Sequence, residues 1–567
     1  MAAIHGGRGR YVRRESVMMP FMEECPASKI ISLNLIGRVS GMGKPYRLGN
    51  NSAPGGERKP AKEDKLVGMS EPVVQRARAG AGVRAAWAEL PVKVGLLGTA
   101  IIAIGSLTPA YLPQASPMWP LLRAMGLAGQ FGRVFGTVLT ISGVFLLVDA
   151  WFRLRHTKYD HLRPLVVVAL WSLPFLISPP IFSHDMYSYG AQGWMIHQGQ
   201  NPYDGGPTLV PGPFSDYVSW VWRYTTAPYG PLALQISHLI AVTSGGYPWL
   251  AAYLMRIPAL IGVACIVHFL PIIARRLGAD LHQVSWFACL NPLLVIDYVG
   301  GGHNDAWMMG LVVLGLWVAT KPRWWPLAAV VIGMATSIKQ PAIFAALFLP
   351  VLISPVGSWR ETRAMGVAIG KAAAGLAISA ATFVGISYAC GLGFGWIQAL
   401  SVPGTVGSIS PSYQVGRLIQ GFVDPNGTTW LEGTESVVTA MGLVFIVYVT
   451  ARYGWRRPMK ALSWAWITLA LTASALHSWY LLWGGLLLPM ARDKRNVPWP
   501  AVLVVILMLC YAGINLGDRN GFFSIIAAIV CLAAWLVHLV VYHRMWRLIR
   551  GHDTYRPDDK IPSEERK

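Results

Sequence analysis

Pro179-Pro-Ile-Phe-Ser-His-Asp-Met-Tyr-Ser-Tyr-Gly190, then Gly193-Trp-Met-Ile-His-Gln-Gly-Gln-Asn-Pro-Tyr-Asp-Gly-Gly-Pro207, is the stretch where this chain changes character. An apolar run of about 20 residues, long enough to cross a bilayer, ends at Phe182 and gives way at once to Ser183, His184 and Asp185. A carboxylate is thereby placed at a membrane surface. The following stretch of about 45 residues is rich in Tyr, Trp, Pro and Gly but poor in charge, the composition of a folded, ligand-facing loop rather than a linker.

The rest of the composition agrees with a bilayer setting. Of 567 residues, 54% are hydrophobic and only 13% charged, and the mean hydropathy is +0.43. Together with repeated apolar runs of spanning length, this excludes a soluble protein and predicts an all-α polytopic membrane protein. The net charge of +21 does not point to nucleic acid. Basic residues gathered in short loops between apolar spans are what membrane orientation produces. Five of the six cysteines lie in or beside apolar runs, Cys25 lies near the N-terminus, and none forms a Cys-x-x-Cys pair. Neither a disulfide framework nor a zinc site is indicated.

Residues 1–88 are polar and basic and read as a disordered cytoplasmic extension, with Met69 an equally plausible start. Residues 89–545 form the transmembrane domain and 546–567 a polar cytoplasmic tail. About fourteen spans are expected between them. Orientation follows from the loops: Arg153 to Arg163, Arg275 with Arg276, Lys321 with Arg323, Arg360 with Arg363, Arg452 to Lys460, and Arg492 with Lys494 and Arg495 are assigned to the cytoplasmic side. That assignment requires the apolar stretch near 231–247 to lie along or dip into the outer face rather than cross. It also requires breaks at Lys339 and at His477, which divide 322–356 and 461–491 into paired spans. Two large loops, 183–249 and 391–436, then lie outside, and the unusual polar residues collect there.

These residues divide by the chemistry they offer. Asp185 is the candidate general base, able to take a proton from an acceptor hydroxyl. Its structural alternative is a helix N-cap. His184 orients substrate or Asp185. In Gly300-Gly301-Gly302-His303-Asn304-Asp305 the glycines make a tight turn, and His303, Asn304 and Asp305 either cap the next helix or contact sugar hydroxyls. Lys339 is an isolated outward lysine, suited to a phosphate or simply snorkelling to headgroups. Arg256 and Asp297 are intramembrane charges that bind substrate or pair with each other. Arg417, in Ser408-Ile-Ser-Pro-Ser-Tyr413-Gln-Val-Gly-Arg417, holds phosphate or pairs with Asp424 or Glu432. Tyr187, Tyr203, Tyr413, His477, Trp479 and Tyr480 offer rings and donors for sugars or lipid, or form an interfacial aromatic belt.

Taken together, Ser183-His184-Asp185-Met186-Tyr187-Ser188-Tyr189, Gly199-Gln-Asn201-Pro202-Tyr203, Asn291-Pro292 with Gly302 to Asp305, Lys339-Gln340-Pro341 and His477-Ser478-Trp479-Tyr480 resemble the GT-C superfamily of polytopic glycosyltransferases. Within it the chain is most similar to the actinobacterial polyprenol-phosphomannose-dependent α-(1→6)-mannosyltransferases of lipomannan and lipoarabinomannan synthesis. The resemblance covers roughly residues 90 to 545. It implies an essential acid in the first large outer loop, matched by Asp185, and a polyprenyl-phosphate mannose donor. It also implies a mannan or phosphatidylinositol-mannoside-like acceptor and inversion at the anomeric carbon, with Lys339, helped by Arg417 or Arg256, holding the departing phosphate. A divalent cation, Mg or Mn, would assist there, although no dedicated metal cluster is visible in the sequence. One departure stands out: many members reach that loop after one span, whereas two extra spans precede it here. A lipid-linked-sugar flippase is the main rival, but polar residues gathered in outer loops, without an inverted repeat, favour an enzyme. A related enzyme using another sugar or a protein acceptor is the second rival.

Overall fold

The computed structural model describes residues 81–543 except 359, 400–401, 403–407, 426 and 493–495. Most of the expected N-terminal extension, the tail 546–567, and Lys494 and Arg495 lie outside the described residues. Residues 81–88, assigned to that extension from sequence, are helical and meet the next helix at a bend of 85°. Pro91, two residues after the bend, removes a donor from a continuous helix.

Among the described residues all regular structure is helical. The principal helices begin with α1 (Leu90–Gly105), α2 (Gln130–Arg153), α3 (Pro164–Ser172), α4 (Asp185–His197), α5 (Pro231–Thr243), α6 (Pro248–Arg276) and α7 (Asp305–Ala319). They continue with α8 (Trp325–Thr336), α9 (Thr362–Ala389), α10 (Pro411–Val423), α11 (Thr429–Tyr453), α12 (Pro458–Thr472), α13 (Trp499–Arg519) and α14 (Phe522–Tyr542). Six of them, α2, α6, α9, α11, α13 and α14, are long and apolar enough to cross a membrane, and α1 with the bent helix before it makes a seventh. The chain is therefore a multi-pass membrane protein. The remaining expected spans are shorter or broken elements, because Pro and Gly interrupt them.

The interruptions build the interior. The expected span 283–300 is two π-helical turns, Val284–Cys289 and Leu294–Gly300. Pro292 cannot donate to the helix, and Asn291 fills the gap: its Nδ2 donates to Phe287 O at 3.0 Å and its Oδ1 accepts from Leu293 N at 3.0 Å. Beyond the second π-turn, Gly302 has φ +61°, and a Cβ there would stand 2.2 Å from Met186 Sδ on α4. Only glycine allows the turn to approach α4 this closely. Similar economy appears where α1 crosses α2: a Cβ on Gly98 would lie 2.7 Å from Gly143 O, the small-residue contact by which membrane helices approach.

Arg256 fastens the two halves of this region. Buried at 2% exposure, it donates from Nη2 to Pro179 O at 3.0 Å, Gly300 O at 3.1 Å and Ser178 Oγ at 3.4 Å, and from Nε to Val299 O at 3.2 Å. Ile181 N donates to Gly300 O at 3.1 Å alongside. The end of the apolar run that closes at Phe182 is thus pinned to the Gly300 turn. The chain breaks again at Lys339, between α8 and the 3-10 segment Gln340–Val351, and near His477, between α12 and the 3-10 turn Ser478–Tyr480. The 231–247 stretch contains α5, whose 13 residues are too few for a full crossing of about 20. It packs against α4, where a Cβ on Gly193 would meet Ser237 O at 2.2 Å.

Candidate active site

α4 begins where the apolar run ends, and its first turn sets the geometry. Asp185 is the first helical residue rather than the cap: its own N–H donates to Ser183 Oγ at 3.1 Å. The carboxylate is therefore left free of the capping role that a sequence reading allowed. Phe182, just before, holds φ +56°, a conformation that costs a non-glycine residue energy and recurs at functional sites.

Asp185 lines a cavity of about 420 Å³. Lys339 to Pro341, His477 to Tyr480 and Arg519 line it too, as do Tyr111, His184 and Trp222. Its walls come from segments far apart in sequence, two of them placed by the breaks at Lys339 and His477. Asp185 keeps 17% side-chain exposure toward it, while His303, at 1%, lies behind. His303 Nδ1 is 3.3 Å from Asp185 Oδ2. Tyr189 OH donates to the same oxygen at 3.5 Å. Burial works to raise the Asp185 pKa, but the nearby His303 imidazole, then His477 and Ser183, outweigh it and hold the carboxyl at about 2. Asp185 is ionised at neutral pH.

The neighbouring imidazoles go the other way. Burial, with Arg519 adding to it, takes His184 down to about 4. Its Nε2 donates to Tyr111 O at 3.2 Å, which leaves Nδ1 as an acceptor. Burial takes His477 to about 4 against the pull of Asp185. Both are neutral at pH 7.

Lys339 is not a free cation. Its Nζ donates to both carboxylate oxygens of Asp305, at 3.0 and 2.9 Å, and lies 4.4 Å from the Tyr480 ring centroid. Trp483 Nε1 donates to Asp305 Oδ1 at 2.7 Å. Asp305 is thus fully occupied and 1% exposed, away from any sugar. Arg519, in contrast, lines the cavity with no carboxylate within 4 Å among the described residues; its guanidinium stands 5.8 Å from the Tyr111 ring.

The structure thus gathers Asp185, His184, Lys339, His477, Trp479 and Tyr480 on the cavity wall, with His303 and Asp305 supporting them. Other candidates sit elsewhere. Tyr187 is buried with its ring 5.4 Å from that of Tyr217. Tyr203 OH donates to Tyr229 O at 2.8 Å. Asn304 and Asp297 are buried off the wall, and Arg256 serves the carbonyls named above rather than Asp297 or the cavity. Tyr413 and Arg417, on α10, do not reach the cavity either, and Arg417 is exposed. Arg519, Trp483, Tyr189 and Tyr111 were missed from sequence. Arg519 carried a usable signal, since it is a lone cation at the outer end of an expected span, like Lys339.

A divalent cation does not fit these side chains. Asp185 is a single free carboxylate and that of Asp305 is filled by Lys339 and Trp483. Among the described residues no group of three His, Cys, Asp or Glu is arranged to hold a metal.

An ionised carboxylate facing an aromatic-lined cavity, inside a multi-pass helical bundle, has the features of a membrane-embedded group-transfer enzyme. A family model described as "Alpha-(1->6)-mannopyranosyltransferase, N-terminal domain" matches residues 92–355, which include Asp185, His303, Asp305 and Lys339. Alpha-(1->6)-mannopyranosyltransferase A of Mycobacterium tuberculosis is 28% identical over 79% of this chain and 89% of its own length. A probable alpha-(1->6)-mannopyranosyltransferase of Mycolicibacterium smegmatis is 28% identical over 83% and 92%, and alpha-(1->6)-mannopyranosyltransferase A of Corynebacterium glutamicum is 27% identical over 74% and 93%. The chain is thus similar to α-(1→6)-mannopyranosyltransferases over most of its length, and to the family model over residues 92–355. No solved structure matches it.

Proposed function

We propose that this protein is a GT-C-type mannosyltransferase of about fourteen spans. In this reading it moves mannose from polyprenyl-phosphate mannose to a mannan or phosphatidylinositol-mannoside-like acceptor and forms α-(1→6) links. The cavity opens on the outer face of the cytoplasmic membrane and both termini are cytoplasmic, as the distribution of basic loops favours. The product belongs to the lipomannan and lipoarabinomannan class. The observation that carries the reading is Asp185: an ionised carboxylate on the cavity wall, held through Oδ2 from behind, within the residues 92–355 that match the mannopyranosyltransferase model.

The chemistry follows from that wall. Asp185 takes the proton of the acceptor 6-hydroxyl as that oxygen attacks the anomeric carbon of a β-mannosyl phosphate. The bond from that carbon to the phosphate oxygen breaks, its electron pair leaves with the polyprenyl phosphate, and a single inversion gives the α product. Arg519, the cavity cation without an acidic partner, receives the phosphate charge. Lys339, already matched by Asp305, tunes that end of the cavity rather than carrying the charge alone. Trp222, Trp479 and Tyr480 supply faces for sugar or polyprenyl groups.

The test is transfer in membranes from radiolabelled polyprenyl-phosphate mannose to a short α-(1→6)-mannoside, with the intact protein and Asp185→Asn at equal expression. Loss of transfer in the variant, with a doubly α-linked product from the intact protein, is expected. Near-normal transfer by Asp185→Asn would remove Asp185 as the base. A labelled donor carried across the bilayer without transfer would overturn the enzyme assignment.

A further inference from the structure

His303 cannot serve as a sugar ligand, because its side chain is 1% exposed and its ring is stacked 3.6 Å from the Trp479 centroid at an interplanar angle of 19°. Trp479, also stacked with His477 at 4.4 Å, belongs to the cavity wall, with His303 packed against it. Yet the site is built around this imidazole. A Cβ on Gly301 would stand 2.9 Å from His303 Cδ2, so the glycine turn leaves room for the ring and nothing more. Neither ring nitrogen has an aligned hydrogen-bond partner, although both are buried. The nearest carboxylate oxygen is Asp185 Oδ2, 3.3 Å from Nδ1. A buried donor left unpaired is costly, and a small rotation of either side chain would remove that cost by aligning Nδ1–H with Oδ2.

We propose that His303 is a positioning residue for the transfer reaction: through Nδ1 it holds Oδ2 of Asp185, so that the other carboxylate oxygen, Oδ1, is presented to the acceptor hydroxyl. The inference rests on Asp185 being the base. The alignment completes when acceptor occupies the cavity and fixes Oδ1, as catalytic hydrogen bonds commonly tighten in the reacting complex. The groups that bear on His303 are Asp185 on α4, Asp297 on the π-turn and His477 beside Trp479. Asp297 also keeps a buried, unpartnered Oδ2. During transfer the proton released by the acceptor goes to Asp185, and His303 keeps its own.

Three proteins decide this: the intact enzyme, His303→Gln, and His303→Gln combined with Asp185→Asn, all purified in detergent. In His303→Gln, kcat should fall on the order of 100-fold, the usual penalty for a displaced reacting group, with little change in KM for the acceptor. Removing the imidazole takes away the largest influence opposing burial at Asp185, with only His477 and Ser183 left against it, so its carboxyl should titrate at higher pH than in the intact protein. The acidic limb of the rate profile should move up accordingly. The same shift is read without activity, as a protonated-carboxyl infrared band near neutral pH that appears in His303→Gln and is absent from the double variant. A lower rate with unmoved acidic limb and no new band would make His303 structural only and overturn the proposal. An intact enzyme that transfers no mannose, while the band behaves as described, would leave the His303–Asp185 pairing standing and refute the mannosyltransferase reading instead.

Discussion

Lys339 and Asp305 offer the sharpest energetic test of the site. The two charges lie 2.9 Å apart, with side-chain exposures of 11% and 1%. At an effective dielectric near 20 such a pair attracts by about 6 kcal/mol before desolvation is counted. Desolvation cancels much of this, but removing one partner strands the other: Lys339→Met leaves the Asp305 carboxylate with Trp483 Nε1 as its remaining close donor. Breaking a buried pair costs about 3–5 kcal/mol. Lys339→Met should therefore cost about 4 kcal/mol, and Asp305→Asn somewhat less, because Lys339 keeps the Tyr480 ring and an edge of the cavity. The double variant strands neither charge, so it should be no worse than the costlier single change, giving a coupling of about 3 kcal/mol, the upper end of the usual range. Unfolding by SDS in mixed micelles, followed through tryptophan fluorescence, measures all four corners. Additivity within about 0.5 kcal/mol would show that the two side chains do not act as a unit, and the role of Asp305 as a permanent neutraliser of Lys339 would fall.

Two further outcomes follow from the cavity. Arg519→Gln should raise KM for polyprenyl-phosphate mannose by about 10-fold, the worth of one charge-assisted hydrogen bond, while KM for the mannoside stays within error; equal rises for both substrates in initial-rate measurements would exclude a phosphate-specific role. Asp185 has a folded-state pKa of about 2, below the ordinary carboxylate value of about 3.9. Its ionised form therefore stabilises the fold above the ordinary value, and that contribution is lost as pH falls from about 4 toward 2. Asp185→Asn should flatten the acid destabilisation in that window, and an unchanged slope of SDS midpoint against pH would contradict the assigned environment.

The sequence alone determined a good deal, for local reasons. Apolar runs of spanning length and basic short loops established a multi-pass helical protein, and six long helices, with a seventh formed by a bent pair, carry that through. The breaks at Lys339 and His477 were legible because keeping the basic loops on one side of the membrane required them. Asp185 was legible because a carboxylate at the end of an apolar run is costly without a purpose. Span length was less legible. Residues 283–300 look like one apolar segment, but Asn291-Pro292 divides them into two π-turns whose hydrogen bonds depend on a side chain folding back.

What only the tertiary structure decided is which charges are already satisfied. In the sequence, Lys339, Arg256 and Arg417 are three equivalent cations. In the fold, the first is neutralised by a carboxylate 34 positions away, the second is held by four oxygens of two distant turns, and the third is exposed away from the cavity. Among the described residues, Arg519 is the cavity cation with no carboxylate within 4 Å. Likewise Asp305 and His303 share one motif, yet one completes an ion pair and the other backs the carboxylate of Asp185. Hydropathy and spacing record where a residue meets the membrane. Electrostatic pairing depends on distances of about 3 Å between segments more than a hundred residues apart, such as Asp185 and His303, and only close packing brings those segments together.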